Sequence, residues 1–132
     1  MKKIILPIVI AACALAAQFA LAVPTAEVKE IMSKLLTGIH GKEGLVLMVT
    51  YPPGSADEIH RHDAHAFVYV LEGSIVMQLR GAEPVTVNAG EGFYEGPNDV
   101  HIVGRSASDS KPAKFVVFLV KNQGVPAVLP AK

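Results

Sequence analysis

Three histidines are the residues in this sequence best suited to chemistry. His60 and His62 stand at i and i+2, and His101 follows about forty residues later. On a β-strand successive side chains alternate between faces, so His60 and His62 point the same way. Their rings can converge on one metal ion, each binding through a ring nitrogen at about 2.0–2.1 Å. A third histidine from a neighbouring strand, His101, would close the site. The same spacing on an exposed strand also describes two solvated side chains, so the surrounding elements must decide.

Those elements read as β-structure. Leu45–Tyr51, Glu58–His62, Ala66–Leu71, Ile75–Arg80, Val85–Val87, Gly92–Glu95, Val100–Gly104 and Lys114–Lys121 are short and rich in β-branched or aromatic residues. Between them lie turn signals: Pro52-Pro53-Gly54, Glu72-Gly73, Gly81-Ala82, Asn88-Ala89-Gly90 and Pro97-Asn98-Asp99. Short strands at this spacing predict a sandwich or barrel. Upstream, Val28, Ile31, Met32, Leu35 and Leu36 recur at helical spacing, with Pro24 and Thr25 before them and Gly38 after. That pattern predicts a short amphipathic helix within an N-terminal segment, 23–43. The tail, 122–132, carries Pro126 and Pro130 and is expected to run extended over the surface.

The residues around the histidines resemble the two motifs of the cupin superfamily. Gly54, His60, His62 and Gly73 fit the first, Gly-x5-His-x-His-x3-4-Glu-x6-Gly. Gly90 and His101 fit the second, Gly-x5-Pro-x-Gly-x2-His-x3-Asn, in which Gly96, Asn98 and Arg105 replace the expected Pro, Gly and Asn. The resemblance implies an all-β fold, a double-stranded β-helix or jelly-roll barrel over 44–121, following the short N-terminal helix. It also implies one divalent metal ion per chain on His60, His62 and His101, with Fe(II) favoured and Mn, Zn, Ni or Cu as alternatives.

The first motif departs at one ligand. Its glutamate falls on Ala66, which cannot bind a metal. Three-histidine centres are known in cupins, among them small thiol and β-diketone dioxygenases that use Fe(II). Otherwise a replacement must come from His65, which regular alternation turns to the opposite face, or from Glu95, just before the turn leading to His101. No general base is evident: Tyr94, Glu95 and His65 are near enough, but each has an ordinary structural explanation. Glu72 and Glu91 sit beside turn glycines and read as solvated. Glu58 and Asp63 flank the histidines and are placed to orient a ring.

The N-terminus reads as a secretory signal peptide, 1–22: Lys2 and Lys3, an apolar run from Ile4 to Ala17, then Ala20-Leu21-Ala22. An uncleaved anchor is the alternative, although the run is short for a bilayer, which needs about 20 apolar residues. Ile10-Ala11-Ala12-Cys13 also loosely resembles a lipobox, and lipidation at Cys13 would tie the protein to a membrane. Cleavage after Ala22 predicts an exported bacterial protein, periplasmic or secreted. It would have no cysteine and therefore neither disulfide nor thiolate nucleophile, since the single cysteine is Cys13. Ten basic residues would then face twelve acidic ones, which argues against nucleic acid as partner.

Two strands are apolar on both faces. Phe115, Val117 and Leu119 oppose Val116, Phe118 and Val120, and Phe67, Tyr69 and Leu71 oppose Val68 and Val70. A half-exposed strand should alternate apolar with polar, so the second face is buried by another sheet or by another subunit; cupins commonly dimerise by such strands, and the resemblance therefore implies a homodimer. The functional expectation is a metal-dependent dioxygenase acting on a small organic molecule. The alternatives are a non-catalytic metal- or small-ligand-binding module and a metal-dependent isomerase or decarboxylase.

Overall fold

The computed structural model describes residues 21–132. Most of the signal-peptide reading, with Cys13, lies outside the described residues. Among the described residues ten strands form: β1 (Glu27–Leu35), β2 (Lys42–Tyr51), β3 (His60–Arg61), β4 (Ala64–Glu72), β5 (Ser74–Leu79), β6 (Val85–Asn88), β7 (Gly92–Glu95), β8 (His101–Ser106), β9 (Ala113–Asn122) and β10 (Leu129–Pro130). They make two five-stranded sheets, ordered β1-β2-β9-β4-β7 and β10-β3-β8-β5-β6. Every pairing is antiparallel. The jelly-roll expectation holds. Among the described residues no helix is long and apolar enough to cross a membrane.

Alternation builds the core. Along β4, Ala64, Ala66, Val68 and Val70 are buried while His65, Phe67 and Tyr69 are exposed. Along β9, Ala113, Phe115, Val117 and Leu119 turn inward. Leu45, Val49 and Tyr51 of β2 join them, with Ile75, Met77 and Val87 from the opposite sheet. Burying this apolar face between the sheets supplies the main driving force for the fold. The outer faces of β4 and β9 are left uncovered, with Phe67 and Tyr69 each about half exposed.

The expected N-terminal helix is not formed; its residues are β1, paired along β2. The misreading has a geometric cause. The register shifts between Glu30 and Met32, so a bulge inserts one extra residue at Ile31. Before the bulge Val28 lies opposite the inward-facing Val49; after it Ser33 lies opposite the inward-facing Leu45, and Leu35 follows two residues on. Val28 and Leu35, seven apart, thus share a face. A regular strand would put them on opposite faces, whereas two turns of helix would put them on the same one. A bulged strand therefore imitates the helical period. Gly38, expected to end a helix, lies in the β1–β2 hairpin loop.

The tail is extended, as its prolines suggest, but it also takes part in the second sheet. Leu129 and Pro130 pair with Arg61 and His60. Lys121, buried, is paired with Glu43 and donates to the carbonyl of Val125, which fixes where the tail leaves β9.

Gly73 alone links β4 to β5, carrying the chain from one sheet to the other, with φ near +71°. A Cβ there would stand 2.5 Å from the Pro112 carbonyl oxygen and 3.0 Å from Ala113 Cα. Gly73→Ala is expected to cost about 1–2 kcal/mol from the left-handed backbone alone, with the close contacts adding to it, read as a lower midpoint in urea unfolding.

Candidate metal centre

His60 and His101 are direct cross-strand partners on β3 and β8. Their rings meet at 3.3 Å, His60 Nε2 to His101 Nδ1. His62 follows β3 immediately, and Asp63, with φ near 48°, then turns the chain from the second sheet into the first. One donor nitrogen from each of the three rings lies within 4.8 Å of the other two. The structure thus brings together all three histidines singled out from the sequence.

Main-chain carbonyls hold two of the rings. His60 Nδ1 is 2.8 Å from the Glu58 carbonyl oxygen, and His62 Nδ1 is 2.7 Å from that of Ala127. Each Nδ1–H donates, which leaves Nε2 as the lone-pair nitrogen facing the site. Glu58 therefore orients His60 through its backbone rather than its carboxylate. Asp63 faces Arg61 instead of a ring, at 3.9 Å.

The two residues weighed as a fourth ligand separate cleanly. His65 is exposed on the outer face, 2.7 Å from the hydroxyl of Tyr94, so neither side chain points into the site. Glu95 is inside, only 2% exposed. Its Oε2 lies 3.5 Å from His62 Nε2 and 3.7 Å from His101 Nδ1. Among the described residues, neither Glu95 Oε2 nor His101 Nε2 has a hydrogen-bond partner. Glu72 and Glu91 are surface residues, as expected: Glu72 meets Lys114 and Glu91 accepts from the Asn88 backbone.

The three histidines line a cavity of about 350 Å³. Its walls include Leu47, Val49, Val68, Met77, Phe115 and Val117, and no lysine or arginine is among the lining residues. Two polar residues that the sequence did not mark, Tyr51 and Asp57, also line it. The Tyr51 hydroxyl donates to the Asp57 carboxylate. A Cβ at position 104 would stand 2.8 Å from the His101 ring, 2.9 Å from Asp57 and 3.0 Å from Tyr51. Glycine at 104 is what lets this pair pack beside the histidine.

Burial sets the electrostatics. It pushes His101 down to about 4, with His60 and His62 adding to the effect. It lowers His62 too, against the hydrogen bond to Ala127 and with His60 reinforcing it. It drives Glu95 up to about 7, helped by Asp99 and Asp57. Burial likewise raises Asp57, against the Tyr51 hydrogen bond, and raises Tyr51 well beyond the usual phenol range. Neutral imidazoles with free lone pairs, beside buried polar atoms lacking partners, fit a divalent cation.

The double-stranded β-helix and its histidine cluster define the class, and the sequence comparison agrees. The chain belongs to the cupin family: the family described as Cupin domain matches residues 47–119. No curated protein matches the sequence. Among solved structures, a cupin-like protein from Thermotoga maritima is 19% identical with a TM-score of 0.63, over 80% of this chain and 75% of that one. A conserved protein with a double-stranded beta-helix domain from Klebsiella pneumoniae is 15% identical with a TM-score of 0.63, over 81% and 86%. The DMSP lyase DddQ from Ruegeria pomeroyi is 19% identical with a TM-score of 0.57; the match covers 65% of this chain and 42% of the lyase. This chain therefore spans less than half the length of that enzyme. At these identities the structural likeness establishes a common fold alone.

Glu95 makes metal-free stability depend on pH. Its folded-state value, about 7 against an ordinary 4.5, is raised. Its contribution is therefore full below pH 4.5 and lost as pH rises through 7. Glu95→Gln, uncharged throughout, should match the wild type at pH 4 and exceed it by about 3 kcal/mol at pH 8. Urea unfolding in the presence of a chelator at the two pH values checks this.

Proposed function

We propose that this protein is a metal-dependent dioxygenase acting on a small, largely apolar organic molecule. The observation that carries the reading is the convergence of His60, His62 and His101 on the wall of a largely apolar cavity. A divalent ion held there, Fe(II) first among the candidates, supplies binding of substrate and O₂ at open coordination positions. Both oxygen atoms enter the product, so no external reductant is required. The chain's own residues do the rest. The Glu58 and Ala127 carbonyls fix the rings of His60 and His62. The apolar walls exclude water and select an apolar substrate body. With no lysine or arginine lining the cavity, the metal is the one positive charge there, so an acidic group on the substrate would bind at the metal and the rest of the substrate would be uncharged.

The Tyr51–Asp57 pair supports a second reading, proton transfer in an isomerase, decarboxylase or lyase-type reaction. It lines the same cavity and is hydrogen-bonded within itself. Oxygen separates the readings. Fe(II)-loaded protein should consume O₂ with a diketone, thiol or phenolic substrate, and the His60/His62/His101 triple alanine variant should lose both metal and uptake while remaining folded. Product formation at an equal rate without O₂ would favour the second reading. Metal binding without turnover of any substrate would leave a non-catalytic binding module.

We further propose that the protein is exported after cleavage behind Ala22 and acts as a homodimer. Pro24 is where the chain joins the barrel, its carbonyl accepting from the Ala56 backbone, so cleavage there spares the fold. The dimer reading is supported by the outer-face aromatics Phe67, Tyr94 and Phe118, which pack against one another yet remain exposed. Intact mass of the exported protein should begin at Val23, and light scattering at micromolar concentration should give twice the chain mass. A lipidated Cys13 or a monomer would count against the corresponding half.

A further inference from the structure

We propose that Glu95 is the fourth metal ligand, a carboxylate transposed from β4 to the strand beside it. The proposal rests on the reading that His60, His62 and His101 bind a metal, and it adds the donor that the first cupin motif lacks.

Register makes the transposition possible. Ala66 and Glu95 are direct cross-strand partners on β4 and β7. Residues so paired share a face, with Cβ atoms about 4.5–5.5 Å apart. A carboxylate on residue 95 therefore reaches the space that a longer side chain on residue 66 would otherwise enter. Ala66, with no exposure at all, is small enough to leave that space open.

The chemistry of the contact calls for a cation. Because His62 Nδ1 donates to Ala127, its Nε2 presents a lone pair. Glu95 Oε2 presents another, 3.5 Å away and without any hydrogen-bond partner. Two acceptors facing each other in a buried site repel unless something positive lies between them. A distance of 3.5 Å is long for a direct hydrogen bond. It does suit two donors on one ion, which stand about 3.4 Å apart when each bond is about 2.1 Å and the angle is tetrahedral. Glu95 to His101, at 3.7 Å, and His60 to His101, at 3.3 Å, have similar spacing. No lysine or arginine lining the cavity offers the carboxylate an alternative partner. A buried carboxylate left unpaired costs several kcal/mol, so a site that keeps one is built to receive a cation.

The test is metal affinity, read with Zn(II) against a chromophoric chelator in wild type, Glu95→Gln and the exchange variant Glu95→Ala/Ala66→Glu. Glu95→Gln should weaken binding by at least about 100-fold, beyond the roughly 10- to 100-fold that loss of an outer-shell partner costs, while the metal-free protein melts no lower than wild type. The exchange variant should regain most of the loss by returning the carboxylate from the opposite strand. On the wild type itself, difference infrared spectra should show one carboxylate stretch per chain shifting when Zn(II) is added. Unchanged affinity in Glu95→Gln, a folded exchange variant that stays weak, or no carboxylate shift on loading would each overturn the transposed ligand while leaving the three-histidine site intact. A wild type that binds no Zn(II) would overturn both.

Discussion

Antiparallel register is the constraint on which this site depends. His60 meets His101, and Ala66 meets Glu95, because β3–β8 and β4–β7 pair at particular positions. A slip of one residue in either pairing would turn every inward side chain of the strand outward. The apolar core enforces the register, since the same slip would expose Val68 and Val70 on β4. Packing between the sheets thus determines the distances between the ligands. Those groups are mutually unfavourable in the metal-free protein, with neutral imidazoles and a protonated or unpaired carboxylate confined together. The core meets that local cost in return for a site formed in advance.

How much of this was legible depended on how local each signal is. His-x-His declares its shared face through a two-residue period, and the β4 and β9 patterns declare their inner faces in the same way. The N-terminal segment was misread because the bulge at Ile31 lies in the pairing with β2, and no local pattern announces it. That Glu95 stands beside the histidines was hidden for a similar reason. Ala66 and Glu95 are separated along the chain, and only the β4–β7 ladder shows that they share one pocket. His65, adjacent to the vacant motif position, was the nearer candidate in sequence, yet it is the one on the wrong face.

Tyr51 and Asp57 illustrate the residues that sequence leaves silent. Neither belongs to a recognisable motif, and each alone reads as a strand end or a loop acid. Their meaning comes from Gly104, whose missing side chain opens the space in which they meet the His101 ring. A glycine within a strand was the available clue, since such positions mark the close approach of another group.

The docking of the tail carries a further consequence. The Ala127 carbonyl selects the tautomer of His62, and β10 forms only where β3 is in place. Occupancy of the proposed metal centre and attachment of this sheet edge would therefore share free energy, and by reciprocity each would strengthen the other. An ion held on His62 would lose that ring's orientation whenever the edge frays. Its residence time would then depend on the opening of a two-residue strand, a mechanical property of the barrel rim, as well as on ligand chemistry.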